Sequence, residues 1–316
     1  MIGVKEAAKM VFYIEKKLVV TVASSALFDM TASDMVFLEQ GEDAYRDYQI
    51  QREKEPLNKG PAFAFIKRFL NLNNIAPDIS PVEVVLLSRN DAETGLRVLN
   101  SIDHYGLNIS RAAFTKGKPS YDYLEAFNSK LFLSQNKRDV AEAVAKGFAA
   151  GYIYGKPFED DESDPEFRIA FDFDGILADD SAEQACKDYG MDEFFKMERC
   201  NAEKPLKQGP LKPFLEGISM LQKLEKEKKR HDIDYHPVIR VALATARNAP
   251  AHLRVIATLR EWNVQVDETF FLGGVDKSRV LKVFKPHLFF DDAPYNISAV
   301  SEVAPAVHVP FGIMNL

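Results

Sequence analysis

The sequence predicts an α/β chain of two similar units with parallel sheets, and three observations carry that reading. Short apolar runs alternate with stretches of helical spacing, an acidic, proline-bearing segment interrupts them near the middle, and the same order of elements then returns. The length of 316 residues, 46% of them apolar, suits two domains of ordinary size, each able to bury a core. The net charge is −7 with scattered lysines and arginines, which argues against nucleic acid or an anionic membrane as the main partner. Two cysteines, Cys186 and Cys200, make no disulfide framework and favour a reducing compartment. Near the start, Lys5, Lys9, Lys16 and Lys17 surround only short apolar runs. No signal peptide or bilayer-spanning segment is therefore expected, and the protein is read as soluble and cytoplasmic.

The first unit opens with a helical stretch at 3–17 and a buried strand at 18–28, LVVTVASSALF, closed by the carboxylate of Asp29. A polar, aromatic-dotted segment leads to Pro56, Gly60 and Pro61, after which AFAFIKRFLNL has helical spacing. Strands are expected at 82–87 (ending at Ser88), 112–115 and 131–133, with helices at 96–105, 121–127 and 139–150. Residues 155–166, GKPFEDDESDPE, read as an acidic linker between a first unit at 1–154 and a second at 167–316. The second unit opens with RIAFDFDGILADD at 168–180, an apolar strand that delivers Asp172 and Asp174 and breaks at Gly175. Strands at 238–244 (ending at Thr245), 268–272 and 288–290 follow, with helices at 253–262 and 278–284.

A shift of 157 lays residues 84–135 over 241–292 without a gap, with identities including Val84, Leu86, Leu96, Arg97, Val98, Phe114, Gly117, Leu124 and Leu131. The signature Pro56, Leu57, Gly60, Pro61 returns as Pro205, Leu206, Gly209, Pro210 at a shift of 149, and Asp29 is laid on Asp172 at a shift of 143. Shared apolar positions are common to any two α/β segments. Their collinear order is not, and it points to an internal duplication in which loops absorb insertions.

One copy then serves as a control for the other. Thr31 stands where the second copy has Asp174, Ser120 where it has Lys277, Ser134 and Gln135 where it has Asp291 and Asp292, and Ser88 where it has Thr245. The apolar framework is kept in both copies, but the acids and the lysine occur only in the second. Acids just beyond the carboxyl ends of parallel strands sit where a ligand can reach them. Together these groups form a phosphoryl-transfer site: Asp172 attacks phosphorus, and Asp174 protonates the leaving oxygen and later takes a proton from water. Thr245 and Lys277 bind the phosphoryl oxygens, and Asp172, Asp174, Asp291 and Asp292 hold Mg²⁺, which two mutually repelling anions require.

The order DxD, strand ending in Thr, Lys at a helix start, strand ending in DD resembles the four motifs of the haloacid dehalogenase superfamily. Within it the chain is similar to the cytosolic 5'-nucleotidase type I family over nearly its whole length: ALFDM at 26–30, KGPAF at 59–63, NSIDHYGL at 100–107, KPLKQGPLKPFLE at 204–216, TAR at 245–247, FFDD at 289–292 and HVPFG at 308–312. The resemblance implies two Rossmann-like, haloacid dehalogenase-like units, the first degenerate. It further implies Mg²⁺-dependent hydrolysis of nucleoside 5'-monophosphates, with AMP or deoxynucleotides as substrates. Ile176 departs from the broad superfamily pattern, where Thr or Val is commoner. The acid at Asp174 argues against dehalogenase and ATPase chemistry, which can dispense with a proton donor. A phosphatase for another small phosphomonoester and a nucleotide-sensing protein remain as alternatives, and a homo-oligomer is left open.

The segment at about 180–210 is charged and helix-prone, placed where the superfamily inserts a small cap. Within it Tyr189, Phe194 and Phe195 either stack on a base or pack the cap's own core. Arg247 contacts substrate or a cap carboxylate, or else forms a plain surface ion pair. The histidines, among them His231, His236, His252 and His287, have no ligand spacing and are assigned no metal.

Overall fold

The computed structural model describes residues 12–155 and 157–315. Ten strands form one continuous sheet: β1 (Leu18–Ala23), β2 (Val82–Ser88), β3 (Arg111–Phe114), β4 (Ser129–Ser134), β5 (Ala150–Ile153), β6 (Phe167–Phe171), β7 (Ile239–Thr245), β8 (Glu268–Phe271), β9 (Leu288–Asp291) and β10 (Ala306–His308). Their order is β3-β2-β1-β4-β5-β10-β9-β6-β7-β8. Every pairing is parallel except β5 with β10, which is antiparallel. The first five strands and the last five thus share one internal order and meet edge to edge. Because the joint is antiparallel, the carboxyl ends of the two halves open on opposite edges of the sheet, so neither can lend strand-end residues to the other's site.

The central strands are continuous apolar runs because both faces are covered, as in a parallel sheet under helices. On one face the helices Phe63–Asn71 and Lys212–His231 bring the halves into a shared core. Ring centroids of Phe65 and Phe69 lie 5.5 and 6.2 Å from that of Phe167, and Phe214 stands 6.4 Å from Phe290. The acidic segment at 155–166 is strapped down, not free. The buried Arg68 donates to an Asp160 oxygen at 2.7 Å and to the carbonyls of Asp161, Asp164 and Glu166 at 2.6–2.7 Å.

Strand register corrects the alignment of the two halves. Val22 pairs with Leu86 and Phe171 with Leu243, so Phe171 matches Val22 and Asp172 falls on Ala23, not Asp29. Asp29 matches Asp179 instead: its N–H donates to Asn58 as that of Asp179 donates to Lys207. The strand expected at 18–28 accordingly stops at Ala23, and Ser24–Leu27 forms one helical turn that buries Ala26 and Leu27. The expected helix at 121–127 is a 3-10 turn, Ser120–Tyr123, and that at 139–150 is Lys137–Ala145 followed by β5. Of the helix expected at 3–17, residues 3–11 lie outside the described residues, and the remainder holds a 3-10 turn, Ile14–Lys16.

The second half carries a two-helix cap, Ser181–Tyr189 and Met191–Cys200, joined by Gly190 at φ +80°, with its base closed by an antiparallel bridge between Ala178 and Gln208. The first half has the same device. Helices Thr31–Gln40 and Glu42–Gln51 join at Gly41 with φ +87°, and Phe28 bridges Lys59. A left-handed residue between two helices strongly favours glycine, so both turns share one local cause. Among the described residues no helix is long and apolar enough to cross a membrane.

Candidate active site

The site forms at the carboxyl ends of β6, β7 and β9. Strand β6 ends at Phe171, and Asp172 follows with its N–H held by the carbonyl of Phe290 at 2.8 Å. Three residues on, Gly175 turns the chain at φ +71°; a Cβ there would meet Asp292 Oδ2 at 2.3 Å, so only glycine lets the loop pass that carboxylate. Lys277 is the first residue of the helix Lys277–Phe284, capped by the Asp276 side chain, and is buried. Its Nζ stands 2.7 Å from Asp172 Oδ2 and 2.7 Å from Asp291 Oδ2.

Asp291 is saturated. It accepts from Lys277, from the N–H of Ala293 at 2.9 Å and from Asn296 Nδ2 at 3.0 and 3.1 Å. Asp292 is the reverse case: it is fully buried and neither oxygen has a hydrogen-bond partner among the described residues. Burial, then Glu183, Asp172 and Asp291, push its carboxyl up to about 9. Burial likewise raises Asp172 against the pull of Lys277, whose own ammonium is held charged by Asp172 and Asp291 despite its burial.

One oxygen from each of Asp172, Asp291 and Asp292 lies within 4.8 Å of the others. Three carboxyl groups share one ammonium, so burial holds the acids it does not balance towards their protonated forms, and carboxyl oxygens left without a partner at such a place suit a hard cation. The donor set fits Mg²⁺, a divalent ion that prefers a few carboxylates plus water.

Asp174 departs from the expected metal set. Its carboxylate is not in that group but is gripped by Arg247, Nε on Oδ2 at 2.7 Å and Nη2 on Oδ1 at 2.8 Å. Of the readings for Arg247, this arrangement matches the cap contact: its Nη1 pairs with Glu198 of the helix Met191–Cys200, and Glu198 also receives Arg254 Nη1 at 2.7 Å. The guanidinium carbon lies 5.5 Å from the ring centroid of Phe173 and 5.8 Å from that of Phe194. Thr245 is buried at the end of β7, where its hydroxyl accepts the N–H of Arg247 at 3.2 Å. Phe194 and Phe195 pack the small cap core with Ala182 and Ala251, while Tyr189 is exposed.

Three residues escaped the sequence reading. Glu183 on the cap helix Ser181–Tyr189 has a buried, unpartnered oxygen and is pushed up to about 7 by burial, then by Asp174 and Asp291. Glu198 and Asn296 are the others; all three sit on helices whose local pattern gives no sign of what the carboxylate or amide will meet. At the matching strand ends of the first half stand Ala23, Ser25, Ser88, Ser120, Ser134 and Gln135, in a cleft that Asp34, Arg89, Lys137 and Asp139 also line. Those charged groups lie at other positions, and none of Asp172, Asp174, Lys277, Asp291 and Asp292 has a like residue at its own place.

Comparison with known proteins gives the family. A family model for 5'-nucleotidases matches residues 10–316. The chain is 36% identical over 290 residues to human cytosolic 5'-nucleotidase 1B, covering 90% of this chain and 47% of that protein. It therefore spans about half the length of the curated relative it matches.

Proposed function

The chain belongs to the 5'-nucleotidase family, and from that premise we propose that it hydrolyses nucleoside 5'-monophosphates with Mg²⁺, through a phosphorylated Asp172. The observation that carries the reading is the buried group Asp172, Asp291, Asp292 and Lys277, three carboxyl groups that share one ammonium. Asp172 and Asp292 would hold the metal, with Asp291 beside them, and the ion would neutralise phosphoryl charge and let a carboxylate approach it. Asp291, saturated by four hydrogen bonds, orients Lys277. That lysine spends two of its three N–H groups on Asp172 and Asp291, and the third is available to a phosphoryl oxygen. Thr245 offers a further contact at the end of β7.

In the first step the Asp172 carboxylate forms a bond to phosphorus as the bond to the 5'-oxygen breaks, and Asp174 gives its proton to that oxygen. In the second, water attacks the acyl phosphate while Asp174 takes a proton back, releasing phosphate and restoring both carboxyl groups. The first half, with Ala23 and serines at the matching strand ends, is proposed as a scaffold copy with boundaries near 1–154, followed by the strapped segment 155–166 and the catalytic half 167–316. Phosphate release from AMP, dAMP, CMP and non-nucleotide phosphomonoesters, with and without Mg²⁺, tests the reading; no release above the Asp172→Asn protein would discard it. Asp29→Asn should retain most activity, since Asp29 matches Asp179 and lies in the other half.

The metal reading has a test that needs no turnover. Asp292 is held at about 9, above the ordinary carboxylate value of 3.8. A carboxyl raised on folding binds its proton more tightly in the folded state, so without metal its contribution to stability falls as pH rises from about 4 towards 9. Binding of Mg²⁺ displaces that proton and becomes more favourable over the same range. The thermal midpoint should therefore gain more from Mg²⁺ at pH about 8 than at about 6. In Asp292→Asn the Mg²⁺ gain should vanish and the metal-free midpoint should vary less with pH. A gain unaffected by that substitution would place the ion elsewhere.

A further inference from the structure

We propose that Glu198, on the cap helix Met191–Cys200, is a positioning residue for Asp174 that acts through Arg247: by holding one arm of that guanidinium it allows Asp174 to exchange the guanidinium for the leaving oxygen, so the acid is available only while the cap is seated. The inference rests on the reading of Asp174 as the proton donor given above.

Arg247 engages both oxygens of Asp174, at 2.7 and 2.8 Å. An acid must free one of them to reach a leaving oxygen, and how readily it does so depends on what else shares the cation. A buried guanidinium with a single carboxylate partner grips it with little screening; a second carboxylate divides that attraction. Glu198 is that second carboxylate, itself buried and balanced by Arg254. The row Asp174, Arg247, Glu198, Arg254 alternates acid and base, so Arg247 keeps Glu198 as a partner when Asp174 carries its proton. Glu198 takes part only when its helix is docked, which Phe194 achieves by packing on Ala251 at the foot of the helix His252–Glu261.

The first half supplies a control for the bland alternative, that Glu198 merely seats the cap. Both halves share one docking framework. Arg97 Nε donates to the Glu55 carbonyl at 2.9 Å, as Arg254 Nε does to that of Lys204 at 2.8 Å. The hydroxyls of Ser101 and Thr258 accept the N–H groups of Leu57 and Leu206 at 2.9 and 3.0 Å. In that framework Gln49 stands in the place of Glu198, 3.4 Å from Arg97, and Asn90 in the place of Arg247. The half without an acid keeps the docked helices but has neither member of the charged pair. The pair accompanies the acid, not the docking.

The test compares AMP, whose alkoxide leaving group needs a proton, with 4-nitrophenyl phosphate, whose phenolate does not. Glu198→Gln, the residue the first half already tolerates, should slow release of adenosine from AMP in the first turnover about tenfold or more with KM within about twofold, and leave first-turnover release of 4-nitrophenol within about twofold, since the later hydrolysis step is common to both substrates. Glu198→Asp, which keeps the charge, should recover much of the AMP rate. Adding Arg247→Asn to Glu198→Gln should restore part of the loss, because the unshared grip is gone. Equal losses on both substrates, no loss on either, no recovery in Glu198→Asp, or additive losses in the double variant each overturn the proposal. If wild-type protein releases phosphate from neither substrate, the nucleotidase reading itself falls, and this inference with it.

Discussion

Asp172→Asn should reduce phosphate release by about 10⁴-fold or more while leaving the protein folded, because an amide cannot form an acyl phosphate and no neighbour can substitute for it. Asp174 is two residues away but is taken up by Arg247, and Asp291 is saturated. Stability should move the other way. Asp172 is one of three buried carboxylates facing a single ammonium, so neutralising it removes repulsion that the metal-free protein must tolerate. A thermal midpoint in EDTA at or above the wild-type value, together with lost turnover, separates a chemical role from a structural one. A variant that is inactive because it has unfolded would instead mean that Asp172 holds the strand end together, and the nucleophile would have to be sought elsewhere.

Legibility followed burial. Strand ends carrying acids could be read directly, because a continuous apolar run closed by Asp172, Thr245 or Asp291 marks the edge of a parallel sheet where ligands bind. Glu198 could not, because a carboxylate on a charged helix looks solvated until the helix docks on Ala251 and buries it, and neither could Glu183, which is half-buried with one oxygen turned inward. The antiparallel joint was invisible for a different reason. Strands β5 and β10 have four and three residues, too few for any periodicity to emerge, yet they decide that the two halves face opposite edges. The misplaced Asp29 came from matching acid to acid. The shift of 149 in the Pro-Leu and Gly-Pro signature already carried a register that puts Asp29 within a residue of Asp179, and the bridges Phe28 to Lys59 and Ala178 to Gln208 follow that register. Correcting it sharpens the contrast between the halves, since the counterpart of Asp172, the proposed nucleophile, becomes Ala23.

Lys277→Met should be costly twice over. Turnover should fall by about 10²–10³-fold through loss of a fixed cation where phosphoryl charge develops. The fold should lose about 3–5 kcal/mol, because removing one partner from a buried ion cluster leaves the others uncompensated. Methionine keeps the apolar stem, so the stability loss reports charge, not packing. Its pH dependence has a definite sign: Asp172, already raised by burial, loses the ammonium that pulls it down, so the variant should regain stability as pH falls and the carboxylates take up protons. Urea unfolding at pH about 5 and about 8 reads both, and a variant equally stable at the two would contradict the buried-charge account. Neutralising the whole group in Asp172→Asn, Lys277→Met, Asp291→Asn should then recover most of the stability and none of the turnover. The first half has already taken that route, with Ala23, Ser120 and Ser134 at the same places in an intact sheet. A triple variant less stable than Lys277→Met alone would mean that these charges support the fold, and the contrast between the two halves would no longer isolate chemistry.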